Sequence, residues 1–187
     1  MYKKHKNLVF TAGTFLLSYG LWAICILGQR LDWFPQGSAW FMPFYILGGN
    51  VPPIVAYFIR KRTEDGFTFK KFVKDAFALK QKPSHYALTL VMVALFYAVG
   101  AVMGGIQSET SPGLEERGVS GYIPLYLTLI GFPLFFFGGG SEELGWRGVL
   151  QPGLEKKLPF IPATVITAVV WTFWHLPLWW INGSGQG

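Results

Sequence analysis

The chain has 187 residues, of which 51% are hydrophobic and 18% aromatic, and its formal net charge is +6. This composition is more apolar than that of an ordinary soluble domain and predicts a membrane protein, with membrane lipids as its surroundings. The positive charge does not indicate nucleic-acid binding, because the basic residues stand in short clusters between long apolar runs. With Cys25 as the single cysteine, no intrachain disulfide can form, and Cys25 is expected to be an inert core or lipid-facing thiol.

Five apolar runs predict a polytopic, all-α bundle of membrane-spanning helices in a single domain over residues 1–187. The first run, residues 8–27, is long enough to cross a bilayer, and no small-x-small cleavage site follows it, so we expect a retained span. The second, residues 39–59, contains two glycines and two prolines in its interior and is predicted to be kinked. The other runs cover residues 85–106, 122–137 and 160–181.

The most basic stretch of the chain, residues 60–82, separates the second and third runs. Apolar residues alternate there with lysines at roughly helical spacing: Phe67, Phe69, Phe72, Val73, Phe77 and Leu79. This pattern is typical of an amphipathic helix that lies on an anionic membrane surface. A solvated connecting loop with aromatic anchors is the alternative.

The distribution of basic residues indicates the orientation of the chain in the membrane. The N-terminal tail, residues 60–82 and residues 147–157 hold all but two of the 16 lysines and arginines. Because basic residues remain on the cytoplasmic side, the sequence predicts a cytoplasmic N-terminus and a C-terminus on the other side. We separately expect the membrane to be a bacterial plasma membrane.

Two adjacent carboxylates and an arginine stand in the sequence GGGSEELGWRG, residues 138–148, at the predicted inner face. Ionisable groups at membrane depth are costly and usually functional. On a helix whose start is capped by Ser141, Glu143 and Arg147 lie four residues apart and are predicted to pair. Glu142 then points about 100° away, and we expect it to stay free in a partly desolvated cavity, where its raised pKa suits it to accept a proton from water. A purely structural role, in which both carboxylates favour the positive end of the helix dipole, is the alternative.

His175 is a candidate partner for Glu142, because it is the only histidine in the interior of an apolar run. A buried histidine beside tryptophans is more often a core or interfacial group than a catalytic one, but a nearby candidate base favours the catalytic interpretation. His5 in the basic tail and His85 at the start of a run are predicted to be interfacial.

The segment 141–179 resembles the CPBP family of intramembrane proteases, also called the CAAX protease and bacteriocin-processing or Abi family. The residues Glu142, Glu143 and Arg147 match its motif E-E-x-x-x-R. His175 matches the histidine of its motif F-x-x-x-H, and Trp171 stands where phenylalanine is usual.

The resemblance implies an intramembrane endopeptidase that hydrolyses a peptide bond of a membrane-associated or lipidated peptide or protein. In the family's pattern Glu142 activates a water molecule and His175 assists, while Glu143 and Arg147 are mainly structural. The family has a further motif on a later helix, a histidine followed four residues on by a polar residue. Since this sequence offers no such motif after residue 187, we expect a chain that is C-terminally incomplete relative to the family.

Alternatives remain for the mechanism and for the function. Catalysis by the glutamate without a metal is favoured, because a carboxylate and a histidine suffice to activate water; zinc held by Glu142, Glu143 and His175 is the alternative. The chain could instead be a non-catalytic immunity or scaffold protein that binds a peptide or partner in the same cavity, and incomplete cavity walls would favour a homo-oligomer. Small-solute transport is disfavoured, because five spans without a repeated broken helix do not resemble a transporter.

Overall fold

The computed structural model describes residues 5–34, 38–77, 80–107 and 139–184. Every regular element in these ranges is a helix, which confirms the predicted all-α fold class. The chain divides into two compact units, Met1–Phe72 with Ile130–Gly187 and, separately, Val73–Leu129. The candidate site lies in the first unit.

The first two apolar runs form the helices predicted for them. Helix α1, Lys6–Arg30, is a single apolar helix long enough to cross a membrane. Helices α2, Phe41–Gly49, and α3, Val51–Thr63, meet at Asn50 with a bend of 49° and together have the length and composition of one broken span. The predicted kink is therefore confirmed.

The bend has a chemical cause in the prolines at the start of α3. Pro52 has no amide hydrogen, so the carbonyl of Gly48, four residues earlier, cannot receive the usual helical hydrogen bond. The Ser18 hydroxyl on α1 donates to this carbonyl at 2.8 Å. Asn50 donates its side-chain amide to the carbonyl of Ile46 at 2.9 Å, at the same break. The broken backbone is thus satisfied locally and by α1, which fixes α2 beside it.

The basic stretch after α3 contains the predicted amphipathic helix in a shorter form. Helix α4 covers Phe69–Ala76. Phe67 and Phe72 are buried and pack against Tyr57, with ring centroids 6.2 and 5.6 Å from that of Tyr57. The lysines of α4 are exposed, whereas Leu79 lies outside the described residues. Contact of α4 with a membrane surface stays a prediction.

In the second unit, the third apolar run forms helix α5, Pro83–Gln107. The run at 122–137 lies outside the described residues. By length and composition, the described part of the chain has two helices that could span a membrane, or three if α2 and α3 count as one span. The structure therefore describes a helical membrane protein, and the count of five spans stays a prediction.

The C-terminal part of the first unit consists of short elements followed by the last span. Helix α6, Glu143–Gly145, leads into a π-helical turn, Trp146–Leu150, and then into α7, Gln151–Glu155. Helix α8, Phe160–Trp174, and a 3-10 helix, Leu176–Trp180, together have the length and composition of a span. The last apolar run thus changes helix type at His175.

Aromatic side chains hold these elements against α1. Trp22 on α1, Trp146 on the π turn and Trp174 on α8 are all buried. The ring centroid of Trp174 lies 4.9 Å from that of Trp22 and 5.6 Å from that of Trp146. Aromatic pairs at such separations contribute beyond the area that they bury. Cys25 is fully buried on the same helix as Trp22, so the core position foreseen for it is confirmed.

Candidate active site

The chain enters the candidate site at Gly139, a position where a side chain would not fit. Gly139 has φ +87°, in the left-handed region. A Cβ atom built on Gly139 would lie 2.5 Å from Oε1 of Glu142. Glycine at this position therefore lets the backbone pass directly beside the carboxylate.

Ser141 does not cap a helix, so that prediction was wrong. Its side chain is buried, and its hydroxyl donates to Oδ1 of Asn50 at 2.7 Å. Helix α6 begins at Glu143 without a side-chain cap. The competing acceptor explains the difference, because Asn50 at the α2–α3 bend offers a partly buried side-chain oxygen that the sequence pattern could not place beside Ser141.

The predicted pair between Glu143 and Arg147 is present. Nε of Arg147 lies 3.4 Å from Oε2 of Glu143, and both side chains are about half exposed. The sequence between them changes from α to π geometry at Trp146, a kind of turn that often occurs at functional sites. An ion pair with this exposure contributes little to stability, typically about 0–1 kcal/mol.

The expectation that Glu142 is free was wrong, because its carboxylate accepts two indole hydrogen bonds. Nε1 of Trp146 donates to Oε2 at 3.1 Å, and Nε1 of Trp171 donates to the same oxygen at 2.9 Å. The side chain is only 7% exposed. Burial raises the pKa of Glu142 to about 7, as predicted, although the two indole donors favour the charged form and oppose the rise.

His175 lies where α8 ends, and its ring is held on one side by Trp171. Nδ1 of His175 lies 2.9 Å from the carbonyl oxygen of Trp171. A carbonyl can only accept, so Nδ1 carries the hydrogen and Nε2 of the neutral ring keeps its lone pair. The imidazole also packs edge-on against Trp171 and Trp174, with centroid distances of 4.3 and 4.6 Å.

Glu142 and His175 both line one cavity of about 440 Å³. Polar groups from the α2–α3 bend and from the Gly139 loop form part of its wall, and the rest is mainly apolar. The further lining residues are Trp22, Met42, Tyr45, Ile46, Gly49, Asn50, Gly139, Ser141, Trp171, Trp174 and Leu178. The structure therefore brings together the two residues that the motifs single out, while Glu143 and Arg147 pair outside this lining.

The residues named as an alternative zinc site do not form a metal-binding group. Glu143 turns toward Arg147, away from the cavity that Glu142 and His175 line. Among the described residues, no three side chains of His, Cys, Asp or Glu are arranged so that they could hold a metal ion. A structural or catalytic zinc needs at least three protein ligands, and because these three residues are not grouped in that way, catalysis without a metal stays the favoured prediction.

Three residues of the site were not singled out as functional from the sequence. Trp146 and Trp171 supply the donors to Glu142, and Asn50 ties the loop to the bend. Trp171 carried a signal, since an indole in place of the usual phenylalanine keeps the ring and adds a donor. Asn50 also carried a signal, because it is a single amide side chain between the glycines and prolines that interrupt an apolar run.

Fold and site together define a helical membrane protein with a glutamate and a histidine in one cavity. Residues 123–185 match the family described as type II CAAX prenyl endopeptidase, Rce1-like. The chain is also 26% identical, over 192 aligned residues, to the "CAAX prenyl protease 2" of Methanococcus maripaludis. That similarity covers 99% of this chain and 66% of the relative, so the chain spans just under two thirds of the relative's length. No solved structure matches the chain. The two matches support the resemblance to the CPBP family that the motifs indicate.

Proposed function

We propose that the protein is an intramembrane endopeptidase in which Glu142 activates the attacking water and His175 assists. The observation that carries this proposal is the placement of both side chains on one cavity, with Trp171 in contact with each. A buried carboxylate whose pKa is about 7 is half ionised near neutral pH, which suits a general base.

The geometry supports a simple sequence of proton transfers. Both indole donors occupy Oε2 of Glu142, so Oε1 on the Gly139 side is the oxygen that accepts the proton of water. The water oxygen forms a bond to the peptide carbonyl carbon, and Nε2 of His175 accepts a hydrogen bond from that water and orients it. When the carbon–nitrogen bond breaks, the proton held by Glu142 passes to the leaving amine, so the carboxylate is regenerated.

The substrate that we propose is a lipidated peptide, with a prenylated C-terminal peptide as the first choice. The names of the matching family and of the relative state that those proteins act on CAAX prenyl substrates. In this chain the cavity has an apolar wall formed largely by Trp22, Met42, Tyr45, Ile46 and Leu178. Such a wall favours an aliphatic chain next to the peptide, because binding removes apolar surface from water.

The test is a cleavage assay with the full chain reconstituted in lipid. A fluorogenic farnesylated peptide and the same peptide without the lipid would be compared, and products would be identified by mass spectrometry. We expect cleavage of the farnesylated peptide, and at least a hundredfold loss in Glu142→Gln and His175→Ala, since general base catalysis contributes about 10²–10⁴. The exposed Asp65 provides a charge-matched control, Asp65→Asn, that should retain full activity.

Two results would contradict the proposal. Cleavage by Glu142→Gln at the wild-type rate would show that Glu142 is not the general base. Tight binding of the peptide without any cleavage, unaffected by Glu142→Gln and His175→Ala but lost when the cavity is filled, would favour the non-catalytic scaffold interpretation.

A further inference from the structure

Two tryptophans hold the carboxylate of Glu142, but they do so from different parts of the chain. Trp146 is four residues from Glu142 and belongs to the same short segment. Trp171 is 29 residues away on α8, the helix that ends at His175. Of these two bonds, it is the one from Trp171 that fixes the carboxylate relative to the element that carries the histidine.

Trp171 also holds His175 itself, through two further contacts. Its carbonyl oxygen accepts from Nδ1 of His175 at 2.9 Å, and its ring lies 4.3 Å from the imidazole centroid. One residue thus contacts the candidate base through its indole N–H and the candidate assistant through its backbone and ring. Positioning groups of this kind matter because small displacements of reacting groups cost large factors in rate.

We propose that Trp171 is a positioning residue of the active site, whose indole N–H holds Oε2 of Glu142 so that Oε1 is presented to the cavity as the proton acceptor. This inference rests on the proposed function. Phenylalanine, usual at this position in the family, keeps a ring beside His175 but cannot donate to the carboxylate. Tryptophan in place of phenylalanine at position 171 therefore adds a hydrogen bond to Glu142 and does not merely exchange one aromatic ring for another.

The same hydrogen bond adjusts the basicity of Glu142. Donation to a carboxylate favours its charged form, whereas burial disfavours it. The other charged neighbours act in opposite directions, since Glu143 raises the pKa of Glu142 and Arg147 lowers it, and His175 faces the same cavity. Removing the Trp171 donor should therefore raise the pKa of Glu142 further and leave less of it ionised at neutral pH.

Trp171→Phe is a clean test of the donor because the side chain is 39% exposed, so little core packing is lost. The matched control is Trp179→Phe, which makes the same exchange at a side chain that is 58% exposed and lies outside the cavity lining. We expect kcat for the farnesylated peptide to fall about tenfold in Trp171→Phe, with KM changed by less than about twofold, because the loss concerns the reacting carboxylate. The acid limb of the pH–rate profile should move up by about one pH unit, and Trp179→Phe should match the wild type.

A spectroscopic measurement tests the contact without relying on cleavage. In protein labelled with ¹⁵N-tryptophan, Trp171→Phe removes one indole N–H resonance and thereby assigns it. That resonance should shift with pH around 7 in the wild type and should not titrate in Glu142→Gln. If Trp171→Phe is too unstable to assay, Trp146→Phe assigns the other indole that is bonded to Glu142, and the second resonance that responds to Glu142→Gln is then that of Trp171.

Two results would overturn the proposal while leaving the proposed function intact. The first is an unchanged kcat and acid limb in Trp171→Phe while Glu142→Gln is inactive. The second is an indole resonance of Trp171 that does not respond to the titration or removal of Glu142. Absence of cleavage in the wild type, by contrast, would contradict the endopeptidase function, and the resonance would still report the contact.

Discussion

Ser141 donates its hydroxyl hydrogen to Oδ1 of Asn50 at 2.7 Å, across 91 positions of the sequence. This bond joins the loop that carries Glu142 to the bend between α2 and α3, and both residues line the cavity. The kinked second span is therefore part of the site, because Asn50 at its bend accepts the hydrogen bond from Ser141.

Replacing Asn50 by leucine should destabilise the protein and lower its activity. Ser141 is 2% exposed, so its hydroxyl would be left buried without its acceptor, at a cost of about 1–3 kcal/mol. Ser141→Ala removes the donor and leaves Asn50 able to reach the open cavity, and it should cost less. Thermal unfolding in detergent checks the order, and a larger loss in Ser141→Ala than in Asn50→Leu would contradict the assignment.

The contribution of Glu142 to the stability of the protein should fall as the pH rises toward 7. The pKa of Glu142 is raised from its ordinary value of 4.5 to about 7 in the folded protein. Between these two pH values the folded state therefore binds more protons than the unfolded state. Stability gained from the protonated form is fully present below about pH 4.5 and is lost as the pH rises through about 7. Unfolding temperatures measured from pH 4.5 to 8 should show this decline in the wild type and a flatter profile in Glu142→Gln.

Activity should follow the opposite course. A general base works when ionised, so kcat/KM should rise with pH and reach a plateau above about 7. The pH–rate profile of the wild type, measured with the farnesylated peptide, gives the midpoint of this limb. A midpoint near the ordinary value of 4.5 would show that the acting carboxylate is not the buried Glu142.

Metal chelators should not inhibit cleavage. The described residues do not assemble three ligands, and Glu143 is paired with Arg147 on the exposed side. Incubation of the lipid-reconstituted enzyme with 1,10-phenanthroline, followed by the standard assay, should leave the rate within about twofold of that of the untreated sample. Inactivation that zinc restores and that magnesium does not would contradict the glutamate mechanism.

A cysteine introduced on α4 tests the orientation predicted from the charges. Cys25 is buried, so Lys74→Cys provides an exposed thiol on the basic helix. In inverted membrane vesicles, whose cytoplasmic face is outside, a membrane-impermeant maleimide should label this cysteine, whereas in intact cells it should not. The reverse labelling pattern would contradict a cytoplasmic α4.

Much of this arrangement follows from the sequence because it depends on local patterns. Long apolar runs predicted α1 and the last span, adjacent prolines predicted the bend, and the spacing of four residues predicted the Glu143–Arg147 pair. The bonds of Glu142 to Trp171 and of Ser141 to Asn50 could not be predicted from the sequence, because each joins distant segments. Spacing on one helix cannot reveal a hydrogen bond whose donor comes from another helix, as that of Trp171 does. The bond from Trp146, four residues from Glu142, was within reach of such spacing but was not predicted.

The most direct test of the account compares two identical substitutions at adjacent positions, Glu142→Gln and Glu143→Gln, in the lipid-reconstituted chain. Glu142 is buried and accepts two indole hydrogen bonds, whereas Glu143 is about half exposed in an ion pair. We predict that kcat/KM for the farnesylated peptide falls at least a hundredfold in Glu142→Gln and stays within about threefold of the wild type in Glu143→Gln. Equal losses in the two variants, or a greater loss in Glu143→Gln, would contradict the assignment of Glu142 as the base.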